Sequence, residues 1–179
     1  MPPVAATVRE LQEVLERGGF VGPLAVSGDM EAVLAIDREG DYAAGFPMAV
    51  LADGSWSMDA MIYDRMEGVW RDGGSSGVVI GGQPTPWTPP SGGWGHGPLM
   101  GCAFTRQVRF EGEDDDEYWV SADVGFLGSD AHHLLCVIDG RQRRIEVADP
   151  LRAYAAVGRS RSGDFHLVAI GADGAVVGE

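Results

Sequence analysis

His132, His133 and Cys136 lie within five residues, with His96 and His166 elsewhere, and imidazole and thiolate are zinc ligands. In an extended 132–138 segment, however, His132 and Cys136 face one way and His133 the other. No C-x-x-C pair or H-x-x-x-H helix accompanies them, so structural histidines and a buried cysteine are expected, with no metal and no other cofactor. Gly73-Gly74-Ser75-Ser76-Gly77 has the letters of a G-x-S-x-G nucleophile elbow. That device needs a strand-to-helix turn, whereas Val78-Val79-Ile80 reads as a strand, so a flexible turn is expected there and a hydrolase nucleophile is not.

Carboxylates are the most abundant reactive groups. Glu111 to Glu117 hold six acids in seven residues. Such runs can bind Ca²⁺, but the offsets of an EF-hand loop are absent, and a solvated hairpin tip is expected. Of the 27 acids, Asp59, Asp123 and Glu146 fall inside strand candidates. These are the ones to inspect for general acid–base chemistry, which depends on spatial separation and shifted pKa.

Two features point to binding. Residues 81–98 contain five Pro, six Gly, Trp87 and Trp94, a stretch unable to form regular structure and long for a loop. Indoles displayed there would stack on a sugar ring, a Pro-rich peptide or a flat ligand; folded back, they would plug an open end of the protein. Residues 141–162 carry six Arg against Glu146 and Asp149. Arg141, Arg143 and Arg144 form its densest part and could hold an anionic ligand through bidentate guanidinium contacts. They could equally meet an acidic patch within the chain or across a homo-oligomer.

The elements that must position these residues are mainly strands. Asp53-Gly54, Asp72-Gly73, Asp139-Gly140 and Asp173-Gly174 punctuate short apolar runs, and Asp-Gly suits the positive φ angles of a type I′ hairpin. Met48–Ala52 and Trp56–Asp64 flank the first turn, Gly77–Ile80 is a further strand, and Leu99–Phe110 pairs with Tyr118–Phe126 across the acidic turn. His133–Ile138 pairs with Arg141–Ala148, followed by Ala153–Val157, Phe165–Ile170 and Ala175–Val177. Thr7 to Arg17 forms one amphipathic helix, with a capping box at Thr7 and Glu10 and Val8, Leu11, Val14 and Leu15 on one stripe. The expected fold is a single mainly β domain over 1–179, an antiparallel β-sandwich with one short N-terminal α-helix covering a sheet face or end. A closed barrel is the second choice.

The chain of 179 residues is 45% hydrophobic, enough for a real core without staples. It contains neither Lys nor Asn, so all thirteen cationic side chains are Arg, as codon bias in a GC-rich genome would produce. A formal charge of −14 disfavours nucleic acid as a partner. No apolar run approaches the roughly 18–20 residues of a membrane span, so no membrane contact is expected. Met1-Pro2-Pro3 does not begin an export signal, and two cysteines make no disulfide framework, so the expected location is the cytoplasm. The functional expectation is a non-catalytic binding or accessory protein working through protein–protein contacts, with a protein partner or homo-oligomer. The alternatives are a small-molecule or carbohydrate-binding protein using Trp87 and Trp94, and a small enzyme whose carboxylates and histidines converge only in three dimensions.

Overall fold

The computed structural model describes residues 5–6, 8–17, 20–26, 31–51, 53, 55–80, 99–109, 117–147 and 152–179. Along the chain run β1 (Ala5–Ala6), α1 (Val8–Arg17), β2 (Phe20–Val26), β3 (Glu31–Glu39), β4 (Tyr42–Val50), β5 (Trp56–Met66) and β6 (Val69–Ile80). There follow β7 (Leu99–Arg109), β8 (Glu117–Leu127), β9 (His133–Ile138), β10 (Arg141–Ile145), β11 (Ala153–Ser160), β12 (Phe165–Ile170) and β13 (Val176–Gly178). Thr7, the expected helix cap, lies outside the described residues, as do the loop 81–98 with Trp87 and Trp94 and most of the acidic turn.

Three sheets result. The first is a meander in the order β1-β2-β3-β4-β5-β6, antiparallel apart from the two-residue pairing of β1 with β2. The second is β11-β8-β7 and the third β10-β9-β12-β13, both antiparallel. Among the described residues no sheet closes into a barrel.

Period-two alternation dictates how the sheets stack. Tyr118, Val120, Ala122, Val124 and Phe126 of β8, with Ala153, Ala155 and Val157 of β11, turn one face of the second sheet toward the first. There they meet Leu34, Ala44, Phe46, Met48, Met58, Ala60 and Ile62 in the main core. The ring of Phe46 packs edge-on to Phe126, centroids 5.1 Å apart. The opposite face presents Leu127, Tyr154 and Ala156 to Leu134, Cys136, Ile138, Ile145, Leu167 and Ala169 of the third sheet and its flanks. β11 is therefore covered on both sides, which explains its small residues. A Cβ on Gly158 would sit 2.5 Å from Ile138 Cδ1 and 2.7 Å from Phe165 Cδ2.

The helix covers the outer face of the first sheet. Val14 and Leu15 pack on Val33, Ile36, Ala43, Tyr63 and Trp70. Gln12 extends this contact with a two-way amide bridge to Trp70: its Nε2 donates to the carbonyl at 2.8 Å, and its Oε1 accepts from the N–H at 3.0 Å. The side chain thus pairs the backbone of β6 as a neighbouring strand would. No helix among the described residues is long and apolar enough to cross a membrane.

The turn chemistry holds in part. Asp139 and Gly140 have φ of 47° and 75°, the two positive angles of a type I′ hairpin between β9 and β10. At Asp173-Gly174 only the glycine is left-handed, with φ 83°. Asp72-Gly73 is not a turn: both residues lie inside β6, where the register against β5 shifts between Ile62 and Tyr63. The hairpin instead turns at Glu67-Gly68, with φ of 53° and 80°. For the same reason Gly73–Gly77 is an extended strand and not a flexible turn, and the strand expected at Gly77–Ile80 begins at Val69.

Candidate functional site

The arginine stripe does not act as a unit. β10 is the outer strand of its sheet, and alternation places Arg141 and Arg143 on one side and Arg144 on the other. Arg143 points inward. Its Nη1 donates to Asp37 Oδ1 at 2.9 Å, its Nη2 also reaches Asp37 Oδ2, and Nη2 donates to the Val157 carbonyl at 2.6 Å. The Val157 N–H in turn donates to Asp37 Oδ2 at 2.7 Å. One two-pronged ion pair thereby pins β3, β10 and β11, one strand from each sheet. Arg141 stands 3.8 Å from Glu39 of β3 and stays mostly in solvent.

Arg144 remains open. It makes no ion pair or hydrogen bond among the described residues, and with Glu146 it lines two adjoining cavities along the free edge of β10. One, of 500 Å³, is completed by Arg17, Ile36, Asp37, Arg38, Gly40 and Ala155. The other, of 470 Å³, is completed by Leu127, His132, His133, Ile145, Val147 and Arg152. They share Arg144 and Glu146 as a common wall, and the two cavities together make up the groove along β10. Four arginines from α1, β3, β10 and the residue preceding β11 line the two cavities, with Asp37, already matched by Arg143, and Glu146; Glu16 stands 3.9 Å from Arg38. Each is fixed differently. The Arg38 guanidinium donates to the carbonyls of Leu15 and Glu16 at the C-terminus of α1 and lies 5.1 Å over the Trp70 ring. Arg152, left-handed with φ 57°, donates to the carbonyls of Leu127, Gly128 and Ala131 at 2.6–3.2 Å. Arg17 is exposed and donates to the Glu13 carbonyl at 3.3 Å.

His132 and His133 stand edge to face, centroids 5.9 Å apart, in the wall of the groove, and His133 Nδ1 is buried without a hydrogen-bond partner. Cys136 is buried between the second and third sheets, on the strand position facing Arg143. Burial pushes its thiol up to about 12, against a smaller opposing pull from Arg143. It stays protonated at neutral pH and is poor both as nucleophile and as metal ligand. No group of three His, Cys, Asp or Glu side chains among the described residues could hold a metal ion. His166 leans on Asp164 at 3.1 Å, and His96 lies outside the described residues.

The three strand carboxylates are held apart. Asp59 lies over Gly77, where a Cβ would come within 1.9 Å of its Oδ1. Asp123 sits on the face of β8 turned toward the third sheet and accepts a hydrogen bond from the Tyr154 hydroxyl at 3.0 Å. Burial raises its pKa from 3.8 to about 6, against the lowering effect of that hydrogen bond. Glu146 alone reaches the groove. Three carboxylates in three different places form no acid–base pair.

Sequence reasoning missed Arg17, Arg38 and Arg152 as members of the site, and Asp37 and Glu39 as partners of the stripe. The one local signal was the alternating charge of Asp37-Arg38-Glu39, which in a strand puts Arg38 on the opposite face from the two acids. No protein-family model, curated protein or solved structure matches this chain. Any functional reading therefore rests on the groove itself.

Proposed function

We propose that this is a non-catalytic binding protein of the cytoplasm that acts through protein–protein contacts, taking an acidic stretch of a partner into the groove along β10. The observation that carries this reading is electrostatic. A chain of net charge −14 gathers Arg17, Arg38, Arg144 and Arg152, four of its thirteen arginines, along a single groove. Low-dielectric walls focus such a field, and guanidinium is the side chain best suited to grip carboxylates. The groove's two halves are open and follow a strand edge, which suits an extended segment. The reading requires no cofactor.

The carbohydrate-binding alternative rests on Trp87 and Trp94, which lie outside the described residues, and the enzymatic alternative loses support because Asp59, Asp123 and Glu146 stand in three different places. The test is fluorescence anisotropy with a labelled hexaglutamate peptide. Binding is expected near 50 mM salt, weakening on the order of tenfold or more by about 500 mM as the charges are screened. Arg144→Glu, at an exposed position, should abolish it with no change in melting temperature. Absence of binding at low salt, or binding indifferent to Arg144, would overturn the reading.

A further inference from the structure

We infer that the partner's acidic segment binds as an added strand, pairing its backbone with the free edge of β10, an inference that rests on the binding reading above. The register of β10 carries it. Asp139-Gly140 forms a two-residue type I′ loop, so the flanking Ile138 and Arg141 exchange hydrogen bonds as the closing pair. Bonded and non-bonded pairs then alternate along an antiparallel ladder. Arg143 with Cys136 and Ile145 with Leu134 are bonded pairs, whereas Gln142 opposite Val137 and Arg144 opposite Leu135 are not. The other side of β9 agrees with this phase. The Asp139 N–H donates to the Asp164 carbonyl at 3.2 Å, toward β12, and its neighbour Ile138 therefore turns toward β10.

The N–H and C=O groups of Gln142 and Arg144 thus point away from β9. β10 is the outer strand of its sheet, both residues are exposed, and no backbone group among the described residues meets them on that side. They repeat at two residues, roughly 7 Å along the edge, which is the spacing at which an extended chain presents its own outward groups.

The side chains select the partner. Opposite charge stabilises a cross-strand pair and like charge opposes it, so the position beside Arg144 takes a carboxylate. Arg17, Arg38 and Arg152 line the cavities on either side. A second β10 would set arginine against arginine, so this edge discourages pairing with its own copy and favours an acidic strand. Main-chain bonds then supply affinity and a fixed alignment, while the arginines supply specificity.

Amide hydrogen exchange on the full chain, with and without hexaglutamate near 50 mM salt, reads the edge directly. Saturating peptide should slow exchange at Gln142 and Arg144 by about tenfold or more, while Arg143 and Ile145, already bonded to β9, change little. Hexaglutamate methylated at every peptide nitrogen keeps its charges and loses its donors, and should bind at least about tenfold more weakly by anisotropy. Gln142→Pro removes one outward N–H and no charge, and should weaken binding of the unmodified peptide. Gln142→Ala keeps that N–H and should bind like wild type. If Gln142→Pro fails to fold, the exchange pattern and the methylated peptide still decide. Unchanged exchange at Gln142 and Arg144 under saturating peptide, equal binding of the methylated peptide, or equal weakening by Gln142→Ala and Gln142→Pro overturns the added strand while leaving the binding reading intact. Absence of hexaglutamate binding at low salt overturns both.

Discussion

Asp37 and Arg143, 106 residues apart in sequence, hold each other in a two-pronged ion pair whose carboxylate also accepts the Val157 N–H at 2.7 Å. The pair is only part-buried, but each member satisfies groups on other sheets. Removing Asp37 leaves the Arg143 charge and the Val157 N–H without compensation. Asp37→Ala should therefore cost on the order of 2–3 kcal/mol, read as a lower urea midpoint. Asp37→Leu combined with Arg143→Met should cost less than the two single changes added together, because no orphaned charge remains. Strict additivity would mean the two residues act separately.

Asp123 makes stability pH-dependent in the direction opposite to most carboxylates. Its folded-state pKa of about 6 lies above the ordinary 3.8, so the folded protein holds this proton more tightly than the unfolded chain does. The stabilisation is complete below about pH 4 and is lost as pH rises through about 6. Its extent is on the order of 2–3 kcal/mol. Asp123→Asn, which can still accept from Tyr154, should leave stability near pH 4 little changed and raise it at pH 7. Asp139 has the opposite sign. Hydrogen bonds from Ser160, Ser162 and the Arg161 N–H hold its carboxyl well below the usual range, so its contribution is lost as pH falls. Chemical denaturation of wild type and Asp123→Asn at pH 4, 5, 6 and 7 isolates Asp123 by difference; equal curves would refute its role.

At Gly158, β11 packs directly on Ile138 and Phe165 of the third sheet. Gly158→Ala should destabilise by about 1–3 kcal/mol through overpacking against Ile138 and Phe165. Ile138→Val in the same chain should recover part of that loss by making room. A Gly158→Ala protein with an unchanged melting temperature would contradict this packing.

β6 is the outer strand of the first sheet, and its second half, Ser75 to Val79, is exposed, with Val79 at 61%. It contains neither Pro nor Lys, two residues that keep an edge from pairing with other molecules. Val79→Lys should leave the stability within about half a kcal/mol of wild type and reduce light scattering on concentration or mild heating. Scattering that does not change would move the liability elsewhere, for example to Val176 and Val177 on β13.

The strands were legible wherever alternation was uninterrupted. Tyr118, Val120, Ala122, Val124 and Phe126 declare one face of β8, and all five are buried on it. Asp139-Gly140 declares its turn because both residues tolerate positive φ. Glu67-Gly68 hid because only its glycine favours that conformation, while Asp72-Gly73 misled because a register shift inside β6 uses the same letters as a turn. The stacking of the sheets was not legible: β11 follows β10 in the chain yet pairs with β8, and nothing local encodes that choice. The site was less legible still. Arg144 stood in a conspicuous stripe, but its neighbours Arg17 and Arg38 come from elements more than a hundred residues earlier, and the two arginines beside it in the stripe proved to serve Asp37 and Glu39.

The burial of β11 on both faces also sets the timetable of synthesis. The first sheet's inner face, with Leu34, Phe46, Met48, Met58 and Ile62, is fully translated once β5 ends at Met66, whereas β11 is complete only at Ser160. At about 5–20 residues per second, the nascent chain carries that apolar face past the ribosome for on the order of ten seconds before the second of its two covering strands, β8 and β11, is complete. Docking of β11 then joins segments as distant as Asp37 and Val157, a closure that high sequence separation makes slow. For this protein, the interval between those two events is when misassembly competes most strongly with folding.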